Sequence, residues 1–304
     1  MGSRHEDKPL VTVGLPTYNR AKTVGNAIES VLKQDYANLE LVISDDASPD
    51  DTRAVCEEFA RRDARIRFIH QDKNLGMSAN FQAVLNEATG EFFMWLSDDD
   101  WLDRGYLSQC VEYLRAHPDC VLASGRMRHY AEDGAHDHTG PVLDFDQEQG
   151  GDRVVSYFWH AGPNDDVLYG VMRRAVLLRT HEIRPTLGGD WLMVASVIFL
   201  GKTHTVADAI GYRRAGGTSK SYRNLVRVFG IPRYIARIPY IHLAPIAFRD
   251  IMYESSAYAA LKRTSRMWLA IRVCAILFGL EARRHWHRLH EYATEAVALV
   301  HQRG

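Results

Sequence analysis

Residues 91–101, Glu91-Phe92-Phe93-Met94-Trp95-Leu96-Ser97-Asp98-Asp99-Asp100-Trp101, constrain this chain more than any other stretch. Five consecutive large apolar residues read as a buried strand of a parallel sheet. The strand ends abruptly in three adjacent carboxylates. Neighbouring Asp side chains repel one another and favour a retained proton unless a cation offsets the charge. A hard divalent ion with oxygen ligands would do so. The alternative is that Asp98 or Asp100 caps the following helix and the others are solvated. In open α/β sheets, ligands bind beyond the carboxyl ends of the strands, which is where this cluster falls.

With 304 residues, 46% of them hydrophobic and 25% charged, the chain has the composition of a soluble globular protein with one generous core or a core plus an appendage. Cys56, Cys110, Cys120 and Cys274 form no Cys-x-x-Cys pair. That pattern points to reduced thiols in a cytoplasmic protein and away from zinc or disulfide scaffolds. The first eight residues lack the apolar core of a signal peptide. Charge is uneven: residues 222–304 carry 13 Lys/Arg against 5 Asp/Glu, and residues 1–221 carry 24 against 33. The same position separates alternating strands and helices from a stretch that reads as nearly all helix, so two regions are expected, 1–221 and 222–304.

In chain order, strands are predicted at 10–15, 39–44, 66–70 and 92–96, with helices after each. The first strand stops at Pro16, which cannot continue a central strand, and Asn19 favours a turn. The second runs into Asp45-Asp46-Ala47-Ser48-Pro49-Asp50-Asp51-Thr52, so carboxylates again stand at a strand end. The third precedes Asn74-Leu75-Gly76-Met77-Ser78-Ala79-Asn80, which opens a helix. This β-α-β-α order implies a mainly parallel sheet with right-handed crossovers. A helix is expected from Trp101 to about residue 117 and a strand at 120–125. The segment 132–152 is rich in Gly, Asp and His but offers no regular element to hold metal ligands, so it reads as a solvated loop.

Five of these features, the opening Val11-Thr12-Val13-Gly14-Leu15-Pro16-Thr17-Tyr18-Asn19-Arg20, Ser30-Val31-Leu32-Lys33-Gln34 before an aromatic, the ISDDASPDDT strand end, the NLGMSANFQAV segment and WLSDDDWL, resemble the inverting glycosyltransferases of family 2 in their order and spacing. The resemblance covers about residues 9–107. It implies a GT-A fold, a Rossmann-like, mainly parallel α/β sheet flanked by helices, here with a helical C-terminal extension. It implies transfer of a sugar from a nucleotide-diphospho-sugar, UDP- or dTDP-linked, to an acceptor hydroxyl in bacterial polysaccharide, glycolipid or other glycoconjugate synthesis.

On that resemblance a divalent Mn²⁺ or Mg²⁺ ion neutralises the diphosphate leaving group as a Lewis acid. Asp99 is the first choice of ligand, and Asp98 shares the ion or contacts the ribose. Leu96 stands where the family's Asp-x-Asp-Asp begins, so the division of roles among Asp98, Asp99 and Asp100 stays open. Asp46 resembles the residue that accepts from N3 of a pyrimidine, with capping by Asp46, Asp45, Asp50 or Asp51 as the plain alternative. Pro16, Thr17, Tyr18, Asn19 and Arg20 correspond to the segment against base and ribose; Tyr18 either stacks or plugs the sheet end. Asn74 and Gly76 belong to the donor site, and Asn80 stands where the family often has Arg.

Asp190, after Leu187-Gly188-Gly189, is by position a helix N-cap or first-turn acid. The resemblance makes it the base that takes the acceptor proton, with Gly189 where the family often has Glu. Arg213 and Arg214 would face diphosphate oxygens, and the glycine-rich turn after Ala215 would offer backbone N–H groups to them; Ala215 replaces a His common in the family. The tail, interrupted by Pro232, Pro239 and Pro245, reads as amphipathic helices too short in their apolar runs to span a bilayer. They would pack on the core or a second copy, or lie on the inner face of an anionic membrane where lipid-linked acceptors are found. The resemblance implies a glycan, a lipid-linked molecule or a small molecule as acceptor. Nucleic acid is set aside, since no helix-turn-helix, RRM or zinc pattern occurs and the net charge is −1. Two other classes remain: a sugar-nucleotide nucleotidyltransferase, which would need a glycine-rich phosphate loop after the first strand, and a non-catalytic sugar-nucleotide or glycan-binding relative, which would have no use for Asp190.

Overall fold

A computed structural model describes residues 8–131, 133–160, 166–215 and 221–301. The N-terminal half alternates as the pattern predicts: β1 (Val11–Thr17), α1 (Val24–Leu32), β2 (Leu39–Asp45), α2 (Thr52–Arg62), β3 (Ile66–His70), α3 (Met77–Asn86) and β4 (Phe92–Trp95). There follow β5 (Trp101–Leu102), α4 (Tyr106–Ala116), β6 (Cys120–Tyr130), β7 (His136–Thr139), α5 (Gly150–His160), a 3₁₀ turn at Asp166–Tyr169, β8 (Val171–Arg173), α6 (Arg174–Leu177), α7 (Gly189–Leu200) and β9 (Lys202–Arg214). The C-terminal region holds α8 (Tyr222–Val228), α9 (Pro239–Arg249), a π-helical turn at Asp250–Glu254, and α10 (Arg263–His301).

The strands form one sheet in the order β3-β2-β1-β4-β8-β6-β9-β5, with β7 on β6. Strands β1 to β4 pair in parallel, as do β6 and β9, while β8, β5 and β7 run against their neighbours. The sheet is covered on both faces, which explains the unbroken apolar run of β4. Phe92, Met94 and Leu96 point to one apolar cluster with α1, α2 and α4, and Phe93 and Trp95 to the other, with α3, α5 and α7. The second cluster also contains Tyr240, Leu243, Val273 and Leu277, so residues on both sides of position 221 share one core. The change in net charge there reflects the helices' outer surface.

Local chemistry and tertiary context disagree at four points. Strand β1 runs through Pro16 to Thr17, against the expected stop. Pairing with β4 ends at Gly14 while pairing with β2 continues to Thr17. Carbonyl contacts alternate, Gly14 toward β4 and Thr17 toward β2. The missing N–H of Pro16 therefore falls on the side where no partner strand remains. The helix expected from Trp101 begins only at Tyr106, because Trp101 pairs with β9 opposite Tyr212 and stacks on its ring at 5.2 Å. The segment read as a loop contains β7, held by β6 and by stacking of His129 on His138. Pro245 lies inside α9 rather than breaking it; the proline ring is on an exposed position.

Candidate active site

The C-terminal ends of β1, β2 and β4 bring three loops together. In the first, Asn19 and, across from it, Ala47 hold positive φ values of 58° and 57°. For residues with a Cβ this conformation is sparsely populated and persists only where contacts enforce it. Asn19 N donates to Ser48 Oγ at 2.8 Å and Arg20 N to Thr52 Oγ1 at 2.7 Å, which pins the Pro16–Arg20 loop to the β2–α2 loop. Asp50 turns to Ala21 N and to Thr52, and the fully buried Asp45 takes His70 Nδ1 at 2.9 Å. Asp50 thus serves the start of α2, and Asp46 is not the cap. Tyr18 is 46% exposed, so its ring does not plug the sheet end.

Asp46 instead reaches across to the β3–α3 loop, accepting Leu75 N at 2.6 Å and Gly76 N at 3.0 Å, while Asn74 Nδ2 donates to its carbonyl. Gly76 has φ +89°, a conformation favouring glycine, and its N–H also meets Asn74 Oδ1 at 3.1 Å. Two backbone donors leave the carboxylate further lone pairs, so it is oriented without being saturated. Asn80 is different. Its amide is buried and donates to the carbonyls of Thr17 and Ser44, bracing β1 against β2 from behind the loops. Both amide protons are spent on that brace, while the buried Oδ1 has no hydrogen-bond partner.

The three Asp residues after β4 point to different partners. Asp98 accepts Tyr18 N at 3.3 Å and Arg20 Nε at 3.2 Å. Asp99 accepts Ser97 Oγ at 2.7 Å and lies 3.7 Å from Arg20 Nη2. One guanidinium thus bridges the first two carboxylates. Burial, and then the charge of Asp99, push the Asp98 pKa up to about 6 against the pull of Arg20. Asp100 turns away: its Oδ1 accepts Arg214 N at 3.1 Å and its Oδ2 lies 3.5 Å from Arg213 Nε. Of the three carboxylates whose division of roles the sequence leaves open, Asp100 is the one held by β9. Arg213 donates onward to Asp166 Oδ1 at 2.8 Å, and His129 Nε2 meets Asp166 Oδ2 at 3.2 Å. Burial works to raise the Asp166 pKa, but His129 and Arg213 hold it below the usual carboxylate value. Arg213 thus links two buried carboxylates, Asp100 and Asp166. The exposed Arg214 guanidinium lies over Trp101 at 5.7 Å, on the rim of a cleft of about 800 Å³ lined by Asn26, Glu29, Lys33, Trp101 and Arg104.

Among the described residues, no trio of His, Cys, Asp or Glu side chains could hold a metal ion. The pair Asp98 and Asp99 still fits one in chemistry: Mg²⁺ and similar ions are held by one or two carboxylates plus water and substrate phosphates. The carboxylates already draw a cation in the form of Arg20.

Asp190 is the second residue of α7, half-buried in its first turn. Gly188, not Asp190, takes the N-cap position with φ +71°. A Cβ on Gly189 would lie 2.1 Å from the Arg184 carbonyl oxygen, so a Glu at that position is incompatible with this loop. Arg184 itself is fixed by Asp250 at 2.5 Å, after α9. The glycine-rich turn at 216–220 lies outside the described residues. Asp166 and His129 escaped the sequence reading; the only cue was Asp165-Asp166 before the apolar Val167-Leu168-Tyr169, with nothing nearby to pair them.

A test of the Asp98 environment follows. Below about pH 4 its carboxyl is protonated in folded and unfolded chains alike; between about 4 and 6 only the native state keeps the proton, so native stability falls as pH rises through that window, by up to about 3 kcal/mol. Urea unfolding in a chelator should show that Asp98→Asn lacks this decline and is the more stable protein at pH 7. Parallel pH profiles for both proteins would mean an ordinary carboxylate.

The sequence model of the family described as Glycosyl transferase family 2 matches residues 12–165. A GalNAc(5)-diNAcBac-PP-undecaprenol β-1,3-glucosyltransferase of Campylobacter jejuni is 39% identical over 120 residues, 38% of this chain and 39% of that one. Glycosyltransferase GlyG of Streptococcus pneumoniae is 28% identical over 123 residues, 40% of each chain. The chain thus spans about two fifths of the length of these relatives. In fold it is similar to residues 1–349 of S. aureus TarS in complex with UDP-GlcNAc (TM-score 0.64, 16% identity, 88% of this chain and 72% of that one). It is also similar to the mannosyltransferase PcManGT of Pyrobaculum calidifontis in complex with GDP-Man and Mn²⁺ (TM-score 0.53, 17% identity, 96% and 81%). These likenesses are of fold, the GT-A arrangement of glycosyltransferases.

Proposed function

Because the chain belongs to glycosyl transferase family 2, we propose that it transfers a sugar from a UDP- or dTDP-linked donor to an acceptor hydroxyl, with inversion, in building a bacterial cell-envelope glycan. The observation that carries this reading is the Asp98–Asp99 pair at the end of β4, bridged by Arg20 of the loop that also meets the Asp46 side of the site. Asp46, aimed by Leu75 N and Gly76 N, would read the base edge, and the exposed Tyr18 ring would lie against the base. Asp99 and Asp98 would hold a Mn²⁺ or Mg²⁺ ion, which when bound offsets the diphosphate charge as the glycosidic bond breaks. Arg20, paired with both carboxylates, would offer one cation to the diphosphate, and Arg214 would offer a second. Arg213 keeps Asp100 in place and thereby the turn that carries Asp98 and Asp99. Asp190 takes the proton of the acceptor hydroxyl as that oxygen attacks the anomeric carbon on the face opposite the departing diphosphate. The acceptor is lipid-linked on this reading, by analogy with the Campylobacter jejuni relative whose name includes PP-undecaprenol; catalysis would then take place at the cytoplasmic face of the membrane.

Thermal-shift measurements with UDP, dTDP, GDP and CMP and their sugars, each with and without Mn²⁺, test the donor site, since a ligand of the native state raises apparent stability by mass action. One pyrimidine diphosphate should give a metal-dependent shift, and Asp99→Ala should remove only the metal-dependent part. A shift that ignores Mn²⁺ would remove the ion from this reading, and a response to GDP alone would remove the pyrimidine.

A further inference from the structure

Helix α10 has two apolar faces. Leu269, Ala270, Val273, Ile276 and Leu277 are buried against α9 and α5. About 180° round the helix, Trp268, Ile271, Ala275, Phe278, Ala282 and Trp286 follow one another at three- and four-residue steps. This second stripe is uncovered: Trp268 is 63% exposed, Ile271 46%, Phe278 51% and Trp286 71%. Trp159, at the end of α5, is 51% exposed as well, and the Arg283 guanidinium lies 4.7 Å from its ring. A contiguous exposed apolar patch of this kind marks an interaction surface.

Charge identifies the partner. Between residues 262 and 287 the helix and its approach carry Lys262, Arg263, Arg266, Arg272, Arg283 and Arg284, and their single acid, Glu281, is buried and paired with Arg284. Lys262, Arg263 and Arg283 are exposed. A second copy of α10 laid on the stripe would bring like charges together with no exposed acid of that stretch to offset them, which disfavours self-association. A surface of anionic lipid has the opposite sign and accepts the apolar stripe as well. Tryptophan and arginine side by side suit the boundary between headgroups and acyl chains, where a ring is half wet and a guanidinium meets phosphate. Among the described residues no helix is long and apolar enough to cross a membrane, so the contact is in the plane of the surface.

We propose that the outer face of α10, centred on Trp268, Phe278 and Trp286, is a docking surface for anionic membrane. The core-packed face stays in place, so docking needs no rearrangement of the catalytic sheet. The proposal stands independently of the donor and of the base that the catalytic site uses, and lipid-free donor binding reports on that site separately.

The test is sedimentation of the full chain with vesicles of phosphatidylcholine, alone or mixed with phosphatidylglycerol, at low and high salt. Binding should be confined to the mixed vesicles and weaken with salt, with tryptophan fluorescence quenched by brominated acyl chains. Trp268→Glu combined with Phe278→Glu should lower binding at least about tenfold while the thermal midpoint and lipid-free donor binding stay unchanged. Arg283→Glu, a single exposed change, should also weaken binding to the mixed vesicles. The proposal is overturned by failure of the wild type to bind mixed vesicles, by undiminished binding of both variants, or by a wild-type dimer in sedimentation velocity that the double variant dissolves.

Discussion

Asp190→Asn should lower turnover by a factor of about 100 or more while donor affinity stays near that of the wild type, because an amide of the same shape keeps the packing of the first turn of α7 but cannot take a proton. The change also removes a negative charge from a helix N-terminus, which costs about 0.3–1 kcal/mol of stability and is separable from catalysis. Steady-state rates with saturating donor, together with calorimetric donor binding, distinguish the outcomes. Intact turnover with a lowered melting temperature would make Asp190 only a first-turn acid. Equal losses of turnover and donor binding would place it in the donor site.

Arg213→Ala should destabilise the protein by about 3–5 kcal/mol, the typical cost of removing one partner from a buried ion pair. Arg213 is 13% exposed and lies between Asp100 at 3% and Asp166 at 8%, so the substitution takes the shared guanidinium from two buried carboxylates. Arg213→Lys should recover little of this, since a single ammonium cannot reproduce contacts made separately through Nε and Nη1. The pH dependence has a definite sign. Asp166 has a lowered native pKa, so its contribution is present above the unfolded value of about 4 and is lost as pH falls through the lower native value. The deficit of Arg213→Ala should therefore be largest near neutrality and shrink in acid. Urea denaturation across pH measures it. A deficit that does not change with pH would mean that lost packing against Tyr169, whose ring lies 4.9 Å from the guanidinium, is the larger effect.

The order of strands and helices in the first hundred residues was legible because hydrophobic periodicity is a local property, and the ends of β2 and β4 were marked by polar clusters no buried strand can continue. Asp46 and the run Asp98–Asp100 follow those ends, and the structure brings the loops carrying Asp46, Asp98 and Asp99 together. Where local rules failed, a neighbour supplied by the fold had overruled them. Pro16 stays in a strand because one partner has already ended, Trp101 leaves its helix to stack on Tyr212, and β7 exists because β6 offers it an edge.

The direction of each carboxylate was decided in the same way. Spacing alone makes Asp98, Asp99 and Asp100 equivalent, since all three follow one strand. Asp100 differs because its partner Arg214 stands 114 residues further along and is brought beside it by β9 pairing with β5. Asp166 and His129 had no partner within reach of any local pattern and became visible only through Arg213. The sequence by itself determined the alternation of elements, the family and the strand ends at which acidic side chains gather, all consequences of short-range sterics and burial. The tertiary structure alone decided which charge meets which, because Coulomb and hydrogen-bond energies depend on distances in space that residues far apart in the chain acquire only when the sheet closes.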